Sequence, residues 1–234
     1  MIFQLNDDDV MFPDPEFAEP NGLLAVGGDL SPVRLVEAYS MGIFPWYSRK
    51  PILWWSLDPR MVLRPEEFHY SKSLRRVVKS GRYEVRVDTN FEAVMRACAG
   101  TRREGQHGTW ITKEMIAAYV RLHELGLAHS FETYYEGSLV GGLYGVSLGK
   151  FFFGESMFHT MTDASKVAFV RLVEYCRFLG IELIDAQQET PHLASLGAHT
   201  IPRKTFVEQL QSITIEDTCR MNWGQLGEGI MNNE

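Results

Sequence analysis

Residues 129–158 read HSFETYYEGSLVGGLYGVSLGKFFFGESMF, and this stretch decides the fold. Runs rich in aromatic and β-branched side chains, each of strand length, occupy residues 129–135, 138–147 and 150–158. Glu136-Gly137 and Gly149-Lys150 separate the runs, and glycine-containing pairs suit the tight turns of hairpins. The sequence therefore predicts three consecutive antiparallel strands.

Helical patterns flank these three strands. A helix is expected from Thr112 to Gly126, and a longer amphipathic helix from an Asp163 cap to Gly180. Residues 181–185 then form a short apolar run that is typical of a buried strand. This order of helix, hairpins, helix and strand predicts an α+β protein with a GNAT-like acyltransferase domain.

The N-terminal part has a different character. The first thirty residues are rich in Pro, Gly and Asp, so we expect an extended loop there, followed by a helix that begins after Ser31. We expect residues 1–65 to form a small α/β domain with extended loops, and residues 66–212 to form the GNAT-like domain. Residues 213–234 are left as a C-terminal tail without a clear pattern.

The composition suits a soluble protein with a substantial core, because 45% of the 234 residues are hydrophobic and 12% are aromatic. The N-terminus carries three consecutive aspartates instead of a basic region, and no apolar run approaches the length of a membrane span. We therefore expect a cytoplasmic protein without a membrane partner. Cys98, Cys176 and Cys219 are too scattered for a disulfide framework or a thiolate metal site, so buried free thiols are expected.

Positive charge is concentrated in one stretch. The formal net charge is −7, yet residues 71–113 hold 10 basic and 4 acidic side chains. Such an island could bind phosphates or could be a solvated helix face, and charge alone favours neither interpretation. Four of its cations fall at roughly helical spacing: Lys72, Arg75, Arg76 and Lys79.

Several familiar cofactor motifs are absent from the sequence. No nucleotide-binding P-loop, dinucleotide-binding glycine motif, His-Glu-x-x-His pair or Gly-x-Ser-x-Gly elbow occurs. Residues 157–165, where a CoA-dependent relative would carry a glycine-rich pyrophosphate turn, contain no glycine. We therefore expect no cofactor and no metal, and acetyl-CoA is not the expected donor.

Two carboxylates are candidates for chemistry. Alternation along the predicted strand would place Asp185 and Gln187 on one face. Glu155 lies in an aromatic run, where alternation would put it on the same face as Phe151 and Met157. An acid among aromatic residues is either paired or functional. The structural alternative, in which Glu155 meets a Lys or Arg and Asp185 caps a turn, has about equal weight.

Two tryptophans stand in segments where exposure is plausible. Trp46 lies in a proline-containing turn, and Trp110 lies in a loop that precedes a predicted helix. A loop tryptophan can stack on a nucleic-acid base. Filling of a hinge between domains is an equally good interpretation of these side chains.

Several segments, taken in order, carry a resemblance to a known family. They are NGLLA (21–25), GGDL (27–30), GIFPW (42–46), WWS (54–56), DPR (58–60), GTWIT (108–112), GESMF (154–158), LIDAQ (183–187) and SLGA (195–198). A chain with these segments resembles the bacterial leucyl/phenylalanyl-tRNA–protein transferase family. The resemblance covers almost the whole chain, to about Leu210.

The resemblance implies a small N-terminal domain packed on a GNAT-like domain, and an aminoacyltransferase activity. This family moves Leu or Phe, with Met as a further candidate, from aminoacyl-tRNA to the α-amine of proteins that begin with Arg or Lys. The acceptor proteins are thereby marked for N-end rule degradation. The implied partners are Leu-tRNA, Phe-tRNA and these acceptor proteins, and we expect a monomer. Because an aminoacyl ester is already activated, the missing ATP motif is consistent with this chemistry.

The resemblance also implies roles for individual residues. Asp185 and Gln187 match the proposed catalytic pair, and Glu155 matches a polar residue of the pocket. Trp46 and Trp110 match residues near the terminal adenosine. The pocket for the donor side chain is implied to contain Leu143, Phe152, Met157 and Phe169. The four cations at helical spacing could follow the phosphates of the acceptor stem, where contacts position the nucleic acid without reading its sequence.

Three other classes of protein remain open at this point. A CoA-dependent GNAT acetyltransferase is disfavoured by the missing pyrophosphate turn. A peptidoglycan-building aminoacyl transferase would normally carry two GNAT-like units, and only one fits in this chain. A non-catalytic RNA-binding protein would need neither Asp185 nor Gln187, so the effect of their loss would distinguish it.

Overall fold

A computed structural model of the chain describes residues 1–6, 9–101, 109–211 and 217–226. The smaller of two sheets has the strand order β1-β2-β4-β3. Its strands are β1 (Phe3–Leu5), β2 (Leu23–Gly27), β3 (Phe44–Pro45) and β4 (Leu53–Trp55). The extended loop expected over the first thirty residues is therefore wrong, because β1 pairs in parallel with β2, and β2 pairs antiparallel with β4.

The larger sheet has seven strands in the order β11-β5-β10-β9-β8-β7-β6. They are β5 (Arg60–Leu63), β6 (Glu84–Val87), β7 (Ala128–Tyr135), β8 (Ser138–Leu148), β9 (Phe151–His159), β10 (Leu183–Gln187) and β11 (His199–Ile201). The three antiparallel strands predicted from the sequence are confirmed as β7, β8 and β9. Glu136 and Gly137 both have positive φ, 48° and 76°, as the tight turn between β7 and β8 requires.

Helices cover both faces of the larger sheet. They are α1 (Pro32–Ser40), α2 (Lys72–Lys79), α3 (Phe91–Gly100), α4 (Lys113–Glu124), α5 (Ala164–Leu179), α6 (Pro191–Ala194) and α7 (Arg203–Gln211). Helices α3 and α4 share one apolar core with the smaller sheet, whereas α5 and α2 form a second core on the other face. The order β6-α3-α4-β7-β8-β9-α5-β10 confirms the predicted α+β class with a GNAT-like arrangement. None of the described helices is long and apolar enough to cross a membrane.

Local capping explains where most of these helices begin. The Ser71 hydroxyl accepts a hydrogen bond from the backbone of α2, and the Thr112 hydroxyl does the same for α4. The predicted Asp163 cap is wrong in detail. Asp163 has a left-handed backbone, with φ of 64°, and its carboxylate pairs with Lys166 at 2.8 Å instead of capping α5. Gly180, with φ of 68°, ends α5 as expected.

The expected boundary at residue 65 does not coincide with a boundary between cores. Strand β5 lies before that residue, yet it pairs with β10 and β11 in the larger sheet. Trp54 of the smaller sheet also shares a core cluster with Tyr119 of α4. Of the tail expected over residues 213–234, only 217–226 is described, and there Trp223 is fully buried. The other tail residues lie outside the described ranges.

Two of the three cysteines agree with the expectation of buried thiols. Cys98 and Cys176 are buried, and Cys219 is half-buried. Burial raises the pKa of the Cys176 thiol. This thiol is therefore an apolar core group and not a reactive one.

Candidate active site

A cavity of about 490 Å³ opens where two parallel strands separate. Strands β9 and β10 pair only as far as Phe153 and Asp185. Where the pairing ends, residues 154–157 of β9 and residues 184–188 at the end of β10 line the cavity. Helix α5 contributes a further wall through Phe169. The volume falls within the roughly 300–1,000 Å³ of small-molecule sites.

A β-bulge aims Glu155 of β9 at this cavity. Tyr144 of β8 pairs with Ser156, and the next residue of β8 pairs with Gly154, which leaves Glu155 without a register partner. The extra residue reverses the alternation of faces. The predicted common face for Phe151 and Met157 is therefore wrong, because Phe151 belongs to the core with α3 and α4, whereas Met157 packs against the core with α5.

The Glu155 carboxylate is bound by two buried tyrosines. The Tyr39 hydroxyl of α1 donates to Oε1 at 2.7 Å, and the Tyr119 hydroxyl of α4 donates to Oε2 at 3.2 Å. The two hydroxyls also contact each other. Burial raises the pKa of Glu155 to about 7, and the negative charge of Asp185 adds to this effect. The alternative in which Glu155 pairs with a Lys or Arg is wrong, since its hydrogen-bond partners are these hydroxyls.

Asp185 of β10 is held by a buried arginine. Arg60 Nε donates to Oδ1 at 2.8 Å, and an Arg60 terminal nitrogen donates to Oδ2 at 2.6 Å. The backbone N–H of Gln187 also donates to Oδ1, at 2.9 Å. This last contact resembles the turn-capping alternative, but the bidentate ion pair goes beyond it. Asp185 is 0% exposed and Arg60 is 1% exposed, so the ion pair is fully buried. A buried carboxylate needs such a hydrogen-bonded partner.

Gln187 presents an unused amide to the cavity. A register shift between Asp185 and Gln187 and a φ of 54° at Gln187 show that β10 ends in a bulge. The two side chains therefore meet at the cavity as expected, but through a bulge instead of simple alternation. Among the described residues, the buried Nε2 of Gln187 has no hydrogen-bond partner. An unmade buried hydrogen bond costs about 1–3 kcal/mol, so this amide is suited to a ligand.

Three of the four residues implied for the donor side-chain pocket line the cavity. Leu143 of β8 lies opposite Met157 of β9, and Phe169 faces them from α5. The structure does not bring Phe152 to the cavity with the other three, because this residue is fully buried behind the cavity wall and is not part of the lining. Its ring fills the space left by the missing side chain of Gly145 and lies 6.0 Å from the Trp223 ring.

Both candidate tryptophans are half-buried on the cavity wall. The backbone of Trp46 is fixed because the Trp55 indole N–H donates to its carbonyl at 2.7 Å, and the two rings lie 5.6 Å apart. Trp110 follows residues 102–108, which include Gly108 of the GTWIT segment and lie outside the described ranges. The two indoles thus offer flat apolar surfaces at the site.

Several residues at or behind the site were missed by sequence reasoning. Tyr39 and Tyr119 come from helices that are far apart in the chain, so no local pattern could link them to Glu155. Arg60 was visible only as part of the DPR segment. His192 from α6 also lines the cavity, and burial lowers its pKa.

The four cations of α2 form one exposed groove. Lys72, Arg75, Arg76 and Lys79 line it together, as their spacing predicts. None of them has an acidic partner within the described part of the chain. The Arg75 guanidinium lies 5.7 Å from the centre of the Tyr70 ring. This groove is called the α2 groove below.

No group of three or more His, Cys, Asp or Glu side chains that could hold a metal ion occurs among the residues for which the structure gives positions. The hydrogen-bonding groups of the cavity are instead two amides, two carboxylates, hydroxyls and an imidazole. Such groups can hold and orient a polar substrate.

Comparisons with known proteins agree on one family. The family described as leucyl/phenylalanyl-tRNA protein transferase matches residues 62–211, and its N-terminal domain matches residues 28–58. A leucyl/phenylalanyl-tRNA–protein transferase from Anaeromyxobacter sp. (strain Fw109-5) is 59% identical over 216 residues, which cover 92% of each chain. Another from Myxococcus xanthus (strain DK1622) is 54% identical over 224 residues, covering 95% of this chain and 96% of that protein.

Among solved structures, FemX aligns with a TM-score of 0.49 and 11% identity, covering 75% of this chain and 70% of that chain. A GCN5-related N-acetyltransferase from Kribbella flavida aligns with a TM-score of 0.38 and 12% identity, covering 76% of this chain and 63% of that chain. The sequence matches, which span both parts of the chain, decide the question of family. The chain belongs to the leucyl/phenylalanyl-tRNA–protein transferase family.

Proposed function

We propose that this protein transfers Leu or Phe from aminoacyl-tRNA to the α-amine of proteins that begin with Arg or Lys. The observation that carries the proposal is the unpartnered Gln187 amide, held beside Asp185 at the wall of a largely apolar cavity. Family membership supports the donor and the reaction class. Such a reaction takes place where charged tRNA is made, so we propose a cytoplasmic enzyme. We further propose that it acts as a monomer and needs no cofactor.

The reaction requires an attack by nitrogen on an ester carbon. The neutral α-amine of the acceptor forms a C–N bond with the aminoacyl carbonyl carbon, and the C–O bond to the terminal ribose breaks. One amine proton ends on the released ribose oxygen. The free amine has a pKa near 8, so part of it is neutral at physiological pH. The enzyme must therefore align the amine and stabilise the tetrahedral oxyanion.

The cavity residues divide this work. The Gln187 amide donates a hydrogen bond near the reacting carbon, because Nε2 has no other partner among the described residues. Asp185 orients Gln187, since its carboxylate accepts the Gln187 backbone N–H. An amide is a poor base, so Gln187 does not take the proton of the amine, and its free donor Nε2 is suited to the developing oxyanion. Glu155 holds a polar group of the substrate.

The shape of the donor pocket explains the proposed amino-acid selectivity. Leu143, Met157 and Phe169 give it unbranched, γ-branched and aromatic walls. Leu, Phe and Met side chains suit such a pocket, whereas β-branched Ile and Val place a methyl group close to the backbone. Discrimination by shape alone amounts to roughly 10–200-fold per methylene.

A route for the tRNA from the α2 groove to the cavity is part of the proposal. The Tyr70 ring below Arg75 lies 5.3 Å from the Phe68 ring, and Phe68 lies 5.6 Å from Phe169 on the cavity wall. The α2 groove is therefore connected to the site by a short series of ring contacts. We propose that it follows the phosphates of the acceptor stem while the aminoacyl-adenosine enters between Trp46 and Trp110.

The salt dependence of tRNA binding tests this route. In Arg75→Glu/Arg76→Glu, affinity for Leu-tRNA should fall and the slope of log K against log salt should become shallower, because about two counterion-releasing contacts are lost. Filter binding from low to moderate salt would measure it, and a Lys113→Glu variant outside the groove serves as the control. An unchanged slope would place the phosphate contacts elsewhere.

The proposed reaction itself is tested with radiolabelled Leu-tRNA and two peptides that differ only in an N-terminal Arg or Ala. Label transferred to the Arg peptide alone would support the donor, the acceptor and the reaction together. Tight acetyl-CoA binding with acetylation of a peptide would favour a CoA-dependent acetyltransferase instead. Binding of tRNA without transfer to either peptide would favour a non-catalytic RNA-binding protein.

A further inference from the structure

Arg60 of β5 lies directly behind the cavity and contacts three other parts of the chain: β10, the segment 42–44 and α7. This side chain of β5 is 1% exposed. Besides its two hydrogen bonds to Asp185, it donates to the carbonyl of Gly42 at 3.1 Å. Its guanidinium lies 4.8 Å from the Phe44 ring and 4.7 Å from the Phe206 ring of α7. Three hydrogen bonds and two ring contacts therefore hold this guanidinium.

We infer that Arg60 is a positioning residue for the transfer reaction, because it locks the Asp185 carboxylate that holds Gln187 in its left-handed conformation. The inference rests on the proposed function and adds a residue to it. Arg60 does not line the cavity and cannot touch the substrate. It acts through two other side chains.

The Gln187 backbone explains why such a lock is needed. A residue other than glycine pays roughly 1–2 kcal/mol to adopt a left-handed conformation, so a φ of 54° persists only if other contacts fix it. Two hydrogen bonds act on this turn: the Gln187 N–H donates to Asp185 Oδ1 at 2.9 Å, and the Gln188 N–H donates to the Ala186 carbonyl at 2.6 Å. The first of them ties the turn to the carboxylate that Arg60 holds. If the carboxylate could rotate, the amide would lose its direction toward the cavity.

The geometry of the pair explains why arginine does this. A guanidinium offers parallel donors in a rigid fork, which fixes both the position and the plane of a carboxylate. Lysine keeps the charge but presents a single flexible ammonium. With Arg60 present, both Asp185 oxygens already accept hydrogen bonds from the protein. Asp185 is therefore a fixed support for Gln187.

Arg34 provides a matched control in the same chain. Its side chain is 0% exposed, it pairs with Asp29 at 3.2 Å, and it donates to the carbonyl of Asn6 at 2.7 Å. It thus resembles Arg60 in burial, in having an acidic partner and in bonding a backbone carbonyl. Neither Arg34 nor Asp29 lines the cavity. A general effect of losing a buried arginine fork should appear in both positions.

The experiment compares Arg60→Lys and Arg34→Lys with the wild type in the transfer assay, with thermal unfolding as a check of the fold. We expect both variants to unfold at lower temperature. Only Arg60→Lys should lose kcat, by about 10-fold to 100-fold, with the KM for Leu-tRNA within twofold of the wild type. An Arg60→Lys enzyme with wild-type kcat would overturn the inference, and so would an equal loss in Arg34→Lys.

A double variant tests the route through Gln187. In a Gln187→Ala background, Arg60→Lys should cause little further loss of kcat, because the group that it positions is gone. Losses that multiply would show that Arg60 acts in another way.

A second variant is available if Arg60→Lys does not fold. Phe206→Leu removes one ring from the guanidinium and leaves the fork. It should lower kcat several-fold, and unchanged kcat would overturn the inference. A wild-type chain that transfers nothing would overturn the proposed function and this inference together, whereas an active wild type keeps the two questions separate.

Discussion

Two buried aspartates on the larger sheet have similar surroundings. Asp88 directly follows β6 at one edge of the sheet, and Asp185 lies in β10. The Asp88 carboxylate accepts the backbone N–H groups of Ser130 at 2.9 Å and Trp223 at 2.8 Å, and it lies 2.8 Å from His129 Nδ1. Asp185 likewise accepts three hydrogen bonds from protein groups. Burial and full hydrogen bonding of a carboxylate therefore do not identify an active site.

The two regions differ in what each network presents to a ligand. Each contains a buried polar atom without a partner among the described residues: His129 Nε2 near Asp88, and Gln187 Nε2 near Asp185. The His129 ring is stacked on Trp223 with 3.8 Å between ring centres, and it does not line the cavity. Gln187 does line it. An unused polar atom is a sign of function only where a cavity lets a substrate reach it.

Removal of the Gln187 amide should have the largest effect on activity. In Gln187→Ala, we expect kcat to fall by about 10²–10³-fold, as when one donor to a developing oxyanion is lost. Stability should change little, because the amide nitrogen has no partner among the described residues and the backbone N–H that bonds Asp185 is kept. Single-turnover transfer and urea unfolding measure the two quantities.

The same substitution in the other region should have the opposite outcome. In His129→Ala, we expect the free energy of unfolding to fall by about 2–3 kcal/mol, because a fully buried ring and its contact with Asp88 are lost. The kcat should stay within twofold of the wild type at a temperature where the variant is folded. If His129→Ala were stable but inactive, the distinction between the two regions would be wrong.

Local features of this fold could be read from the sequence. The turn at Glu136 and the start of α4 after Thr112 depend on neighbouring residues, and the structure has them where they were predicted. Strands β1 and β2 were missed because they pair with each other and with β4 across long stretches of chain. Pairing over such distances leaves little local pattern in a segment rich in Pro and Gly.

The site was predicted in outline but not in geometry. Resemblance to a family supplied Asp185 and Gln187, and both lie on the cavity. Alternation failed at Glu155 and again before Gln187, because a bulge depends on the partner strand and inserts one residue that shifts the faces. Arg60 is 125 residues from Asp185 in the chain, so a sequence pattern could not link them.

The smallest expected effect concerns Glu155, a half-buried carboxylate that sharpens the comparison because tyrosine hydroxyls hold it. Its pKa of about 7 lies above its ordinary value, so the group is neutral below pH 7 and ionised above. Burial raises the pKa of Tyr39 and Tyr119 well above the ordinary value, so both hydroxyls remain donors throughout this range. The ionised carboxylate can accept a further, charge-assisted hydrogen bond from the substrate, whereas protonation turns one of its oxygens into a donor.

We therefore expect kcat/KM of the wild type to fall about tenfold per pH unit as the pH drops below 7, beyond the fall caused by protonation of the acceptor amine near pH 8. In Glu155→Gln this additional fall of kcat/KM below pH 7 should be absent, and activity near pH 8 should be reduced by about tenfold.

The unfolding free energy gives a second readout with a definite sign. A carboxyl with a raised pKa in the folded state loses its stabilising contribution as the pH rises from about 4.5 to 7, so wild-type stability should decline over that range relative to Glu155→Gln.

Glu132 separates burial from access in this experiment. It is fully buried on β7, burial raises its pKa, and its oxygens accept hydrogen bonds from Thr89 and Ser130. It does not line the cavity. In Glu132→Gln the stability profile should therefore change while the limb of kcat/KM below pH 7 is retained. Loss of that limb in Glu132→Gln, or its persistence in Glu155→Gln, would mean that the pH dependence reports the fold and not a carboxylate that meets the substrate.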